Sequence, residues 1–162
     1  MLSSAVAINQ FQLAGFQKIA ADVPDEVLYK PAAGHQHLPV WVMGHLALTG
    51  EMGQQALGGT VAHPDWMPLF APGSSGEVST DTGLTKQTMI DAVTGAYAQL
   101  QKMALEDATP ERLAQPHGIG LFDGSPIQNV GDVITLLLTN HFGFHLAQLS
   151  SCRREAGFAP LF

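Results

Sequence analysis

Apolar positions recur at three- and four-residue spacing over most of this chain, and strict alternation is nowhere sustained. Ile8, Phe11, Gly15, Phe16 and Ile19 mark one face of a first helix, which Ser3 or Ser4 can cap and which should run to about Ala21. Asp22 to Leu28 then reads as a stop and a short restart, because Pro24 and the acids after it suit a first helical turn. A second helix is expected from Pro39 through Trp41, His45, Leu48 and Met52 to Leu57, where Gly58 and Gly59 end it. Thr85 is a good cap for a third, with Ile90, Val93, Tyr97, Leu100 and Met103 on one face and an end near Asp107 or Ala108. Asn129, with Asp132 three residues on, opens a last helix expected to run unbroken to about Glu155, with Arg153 and Arg154 at its negative end and Gly157 as the exit.

Between these helices lie three connections. Residues 30–39 form a loop, residues 58–83 are rich in Gly, Pro and Ser, and residues 116–127 carry a second cluster of turn formers. Loops of such length in a small domain are commonly functional or else mobile, and the aromatic cluster in the segment His63 to Phe70 suggests that one end of the first long loop is packed down. Four long helical patterns without a convincing strand predict an all-α chain, a helical bundle with at least one long crossover, folded as a single domain over residues 1–162.

Composition narrows the functions such a bundle could serve. The 46% apolar content fills one core, whereas charged residues are only 13% and the formal charge is −7. An acidic chain with no run of Lys or Arg lacks the electrostatic term that dominates nucleic-acid affinity, so no nucleic-acid partner is expected. The apolar stretches around residues 38–48 and 130–138 are too short and too interrupted to span a bilayer, so no membrane partner is expected either. One cysteine, Cys152, and an N-terminus without a basic, then apolar, leader point to a soluble cytoplasmic protein.

One count stands out: seven histidines, as many as Lys and Arg together. His141 and His145 are four residues apart, so on a helix they lie about 40° apart around the axis and about 6 Å apart along it. Val133, Leu137, His141, His145 and Gln148 then form one inward row, and two imidazoles so placed can close on one divalent ion. Phe142, Gly143 and Phe144 fill the interval in which a zinc protease carries its acid, so that chemistry is absent. His45, in the apolar run of the second helix, is the natural third ligand, and three neutral imidazoles would leave positions open for water or substrate. A buried histidine bonded to a carbonyl is the ordinary alternative for each of the three. Gln148, one turn past His145, is placed either to hydrogen-bond a ligand imidazole or simply to pack. Trp66 and Phe70 either lid the site or cover the core edge. His35, His37, His63 and His117 fall in connections, where a solvated ring is the default, and Cys152 reads as a buried, inert thiol. No residue can be assigned as a catalytic base.

Two stretches, Trp41-Val42-Met43-Gly44-His45-Leu46-Ala47 and Asn140-His141-Phe142-Gly143-Phe144-His145-Leu146-Ala147-Gln148-Leu149 followed by Arg153 and Gly157, resemble the signatures of the DinB and YfiT-like superfamily. Pro24 to Leu28, Asp65-Trp66 and Leu69-Phe70 also sit where relatives carry similar residues, so the resemblance spans essentially the whole chain. It implies a four-helix bundle of up-down-down-up topology, often a homodimer, holding zinc, nickel, iron or manganese on His45, His141 and His145, with water completing the shell. It further implies a small-molecule substrate and a transferase that works with a low-molecular-weight thiol. The alternatives are a maleylpyruvate-isomerase-like enzyme, which needs a basic pocket, and a non-catalytic metal- or ligand-binding stress protein.

Overall fold

The computed structural model describes residues 2–32 and 34–161, and among them it is all-helical, with one isolated bridge between Pro116 and Asn129. The long helices are α1 (Ser3–Asp22), α2 (Pro39–Ala56), α3 (Lys86–Glu106), α4 (Val130–Leu136) and α5 (Phe142–Glu155). Between α4 and α5, Leu137–His141 forms a π-helical turn, so the last helical segment is continuous in path but not in hydrogen-bond register. No helix among the described residues is long and apolar enough to cross a membrane.

Local chemistry accounts for most of the boundaries. The Thr85 side chain accepts from the Thr88 amide at the start of α3. Asn129 and Asp132 form a reciprocal capping box at the start of α4. Helix α1 differs from expectation: Leu2 occupies the cap position and no side chain bonds there, so neither Ser3 nor Ser4 acts as a cap.

Helix α2 is the centre of the molecule. Every residue from Pro39 to Glu51 is buried, as expected of a helix apolar on all sides. Its glycines let α3 approach closely: a β-carbon on Gly50 would lie 3.1 Å from Tyr97 and Ala96, and one on Gly53 would lie 2.9 Å from Leu100. Tyr97, Phe142 and Phe16 are fully buried, with the Phe142 ring edge-on to both others at 4.6 and 6.2 Å. Two buried amide bonds add direction to this packing, Gln54 to the Ala96 carbonyl and Gln101 to Asn9, each 2.8 Å. Arg153 near the end of α5 pairs with Asp22 at the end of α1 at 2.7 Å.

The first long connection does not hang free. A 3-10 turn (Pro64–Trp66) and a one-turn helix (Met67–Phe70) lay it back against α2, and Trp41 donates its indole N–H to the Leu69 carbonyl and the Ser74 hydroxyl. Phe70 is fully buried and covers Gly44, where an added β-carbon would lie 2.5 Å from the Phe70 ring. The second connection carries a turn at Pro110–Leu113 and a 3-10 turn at Gly120–Phe122.

Candidate metal centre

Three of the seven histidines come together. His45 on α2, His141 at the end of the π turn and His145 on the first turn of α5 can each offer one nitrogen such that the three atoms lie within 4.8 Å of one another. The ring centroids are 4.6 to 5.2 Å apart. His45 Nε2 and His141 Nε2 are 3.2 Å apart, close to the roughly 3.3 Å expected between two nitrogens that share a tetrahedral zinc at about 2.05 Å.

Two of these rings are oriented by hydrogen bonds at their far nitrogens. His45 Nδ1–H donates to the Phe70 carbonyl at 2.7 Å, and His145 Nδ1–H donates to Gln148 Oε1 at 2.7 Å. Each bond fixes the tautomer that leaves an Nε2 lone pair facing the cluster, the arrangement that outer-shell partners give metal-bound imidazoles. His141 differs: its Nδ1 is buried with no hydrogen-bond partner.

Burial keeps all three rings neutral. It is the largest cause of a His141 pKa lowered to about 3 and a His145 pKa lowered to about 4, with the positive charge that neighbouring imidazoles would carry adding to both. His45 is lowered for the same first reason, partly opposed by its bond to Phe70. Neutral imidazole is the ligating form, so these nitrogens are free for a cation without losing a proton.

The π turn that carries His141 is held by local competition for carbonyls. Thr135 Oγ1 donates to the Gly131 carbonyl and Thr139 Oγ1 to the Thr135 carbonyl, at 2.8 and 2.6 Å, the back-bonding that loosens and bends helices. The Thr139 carbonyl accepts from Gln12 Nε2 of α1 at 3.2 Å. The expected unbroken helix is corrected accordingly: the inward row of Val133, Leu137, His141, His145 and Gln148 passes through a wider turn.

Around the cluster the other histidines depart from the solvated default. The His37 ring stacks on Trp41 at 4.6 Å, and Trp41 stacks on His45 at 4.8 Å, a column of parallel rings behind the first ligand. His35 bonds the Gln148 carbonyl through Nε2 at 3.2 Å and accepts from the His37 amide. His63 pairs with Glu51, an acid only 2% exposed, at 2.6 Å, while its amide donates to the other carboxylate oxygen at 2.9 Å. The clasp fastens the start of the Pro64–Phe70 segment to α2, and Trp66 stacks over it at 4.2 Å. Nothing in the spacing around Glu51 marks it as buried. His117 bonds within its own loop and lines a cavity of about 320 Å³ that opens onto His45 and His141. A larger depression, about 550 Å³, is lined by Glu51, His63 and Asp91 but by none of the three clustered rings; Glu51 is paired with His63 and Asp91 accepts from Gln87, so the chemistry belongs to the smaller cavity.

Of the remaining candidates, Gln148 acts on His145, and Phe70 supplies a carbonyl rather than a lid. Cys152 is buried, with burial first and then Glu155 raising its thiol to about 11, so it is no nucleophile. Compared with protein-family models, curated proteins and solved structures, the chain matches none of them. The three-histidine group could hold a metal ion, and the geometry alone carries that statement.

Proposed function

We propose that the chain is a metal-dependent enzyme of the thiol S-transferase type, built as a DinB-like four-helix bundle of up-down-down-up topology. The observation that carries it is the convergence of three neutral imidazoles, two of them held in the ligating tautomer, beside a cavity. Four long helical segments joined by two long connections support the bundle.

A divalent ion there, whether zinc, nickel, iron or manganese, would supply Lewis-acid chemistry, lowering the pKa of a thiol or water it holds. His45, His141 and His145 would bind it through Nε2, with the Phe70 carbonyl and Gln148 fixing two of the rings. Because these ligands carry no charge, an ion held there would keep its positive charge and favour an anionic fourth ligand. Most of the cavity wall beside that position is apolar. In the transfer itself the thiol proton goes to solvent, a sulfur–carbon bond forms, and the electrophile's leaving group departs with its electron pair.

The exposed Phe11 and Ile8 on α1 and Phe144 on α5, which flank the contact of Gln12 with Gly143, support a homodimer. A lone buried cysteine suits the cytoplasm. The isomerase alternative loses support, since none of the residues lining the cavity is Lys or Arg.

Elemental analysis of the protein purified without a histidine tag tests the centre: one divalent ion per chain is expected, lost in His45→Ala and His141→Ala. Turnover of 1-chloro-2,4-dinitrobenzene by the metal-loaded protein with a panel of thiols tests the activity. A parent with no bound ion, or variants that bind as well as the parent, would refute the reading. Binding without turnover on any thiol leaves the stress-protein alternative.

A further inference from the structure

The cavity beside the imidazoles says what kind of molecule reaches them. We propose that it is a binding site for an uncharged, largely apolar small molecule of about one ring that presents a single donor atom to the His45 and His141 side. The donor end of this proposal rests on the metal reading above, whereas the apolar body is argued from the walls alone.

Those walls are Met52 of α2, Val133 and Leu136 of α4, Leu137 of the π turn, and Ile119 and Phe122 of the second connection. At about 320 Å³ the space is in the lower range of small-molecule sites, with room for a substituted ring. No Asp, Glu, Lys or Arg is among the residues that line it. Arg112 comes near, because its Nε donates to the carbonyl of Ala56 in the wall, but its guanidinium is held outside by that bond and by Gln115.

The polar atoms within reach are mostly committed. The Thr49 hydroxyl donates back to the carbonyls of its own helix, at 2.7 Å to His45 and 3.1 Å to Leu46. Both nitrogens of His117 bond its own loop, at 3.0 Å to the Ile127 carbonyl and 2.8 Å from the Ile119 amide. Gln55 is exposed at the edge. At the inner end stand His45 and His141, and of their ring nitrogens only His141 Nδ1 has no partner. A ligand carboxylate against these walls, away from the imidazole end, would lose its hydration without gaining a partner, whereas a ring would exchange water for side chains at every wall. Leu121, 72% exposed although it lines the cavity, makes the mouth apolar as well.

Benzyl mercaptan and mercaptosuccinate separate the ligand classes, since both carry one thiol and only the second carries charge. Each is titrated into the metal-free and the cobalt-loaded protein, following the Met52 methyl resonance by NMR and the cobalt bands by visible absorption. Benzyl mercaptan is expected to move Met52 in both forms and to bind at least about tenfold more tightly than mercaptosuccinate. Leu136→Arg, at a half-buried position that tolerates a long side chain, is expected to narrow or invert that preference. Equal binding of the two thiols, or no response at Met52, overturns the cavity proposal. Failure of cobalt to load, or silent cobalt bands while Met52 responds, defeats the metal reading and leaves the cavity proposal standing.

Discussion

His45 and His141 face each other across 3.2 Å but are held by unlike means. His45 sits in regular helix on the most buried element of the molecule, with Trp41 stacked on its ring and the Phe70 carbonyl on its Nδ1. His141 ends a π turn, its Nδ1 has no partner, and its position comes from the backbone, through Thr139 and Gln12. One ligand is aimed by its side-chain bonds and the other by its main chain. A π turn trades regular hydrogen bonding for a shifted side-chain direction, and such turns concentrate at functional sites. The comparison implies that perturbing either side weakens the centre, but through different structures.

The largest effect is expected at Gly44. A methyl group there meets the Phe70 ring at 2.5 Å, so Gly44→Ala must push the Met67–Phe70 turn away from α2. Overpacking of this kind costs about 1–3 kcal/mol, measurable by urea unfolding. Displacing Phe70 also removes the acceptor of His45, so metal affinity should fall by about a hundredfold, the upper end for loss of an outer partner. Gly44→Ala that unfolds like the parent and binds metal as well would show that Phe70 does not aim His45.

Gln148 is the corresponding support for His145. Gln148→Ala leaves a buried Nδ1–H without its acceptor and should weaken metal binding by about tenfold or more, read by competition with a chromophoric chelator. Gln148→Glu supplies a carboxylate at the same place and should restore most of the loss. A Glu variant as weak as the Ala variant would assign Gln148 to packing alone.

These supports differ in how far they could be read from the chain. The capping residues Thr85, Asn129 and Asp132 act locally, within three residues, and so were legible, as was the pairing of His141 with His145. Gln148 was legible as a candidate because it lies one turn from His145. The Phe70 carbonyl was not, since a backbone acceptor has no residue signature and the loop that delivers it has no period. The π turn was hidden for a related reason: Thr135 and Thr139 fit an ordinary helix as well as a widened one, and Gln12, which donates to the Thr139 carbonyl, lies 127 residues from it. The stacking of His37 and the pairing of Glu51 on α2 with His63 depend on how the loops fold back, which helical periodicity cannot express.

On the His141 side the expected effect is smaller, because a main chain held at several points yields less than a ring released from its one bond. Thr139→Val keeps the shape of the side chain and removes the bond to the Thr135 carbonyl, freeing that carbonyl to reclaim regular helical pairing. Metal affinity should drop by about tenfold or less, with the His141 ring resonances shifting while those of His45 stay in place. Gln12→Leu, which leaves the Thr139 carbonyl without its partner from α1, should act in the same direction. Equal movement of the His45 and His141 resonances would erase the distinction between the two sides.

The smallest change is expected on lowering the pH, and its flatness is the informative part. An exposed three-histidine site begins to lose metal near pH 6.5, where each imidazole takes up a proton. Here burial holds His141 near 3 and His145 near 4, and lowers His45 as well, so protons compete less for the folded site than for an exposed one, and at His141 and His145 only far below that point. Metal affinity should therefore stay nearly constant from pH 8 to about 5. Stability of the metal-free protein behaves otherwise. In the unfolded chain these histidines titrate near 6.5, so below that pH the unfolded state binds more protons than the folded one. Their burial then costs nothing above about pH 6.5 and destabilises the fold progressively as the pH falls toward 4. Urea midpoints of the metal-free protein should drop over that window while the dissociation constant of the folded site holds. A dissociation constant that rises below pH 6.5 would mean that the rings reach solvent in the metal-free state. His141, whose Nδ1 has no partner, is the ring most able to do so, which would make the side aimed by the main chain the one that opens.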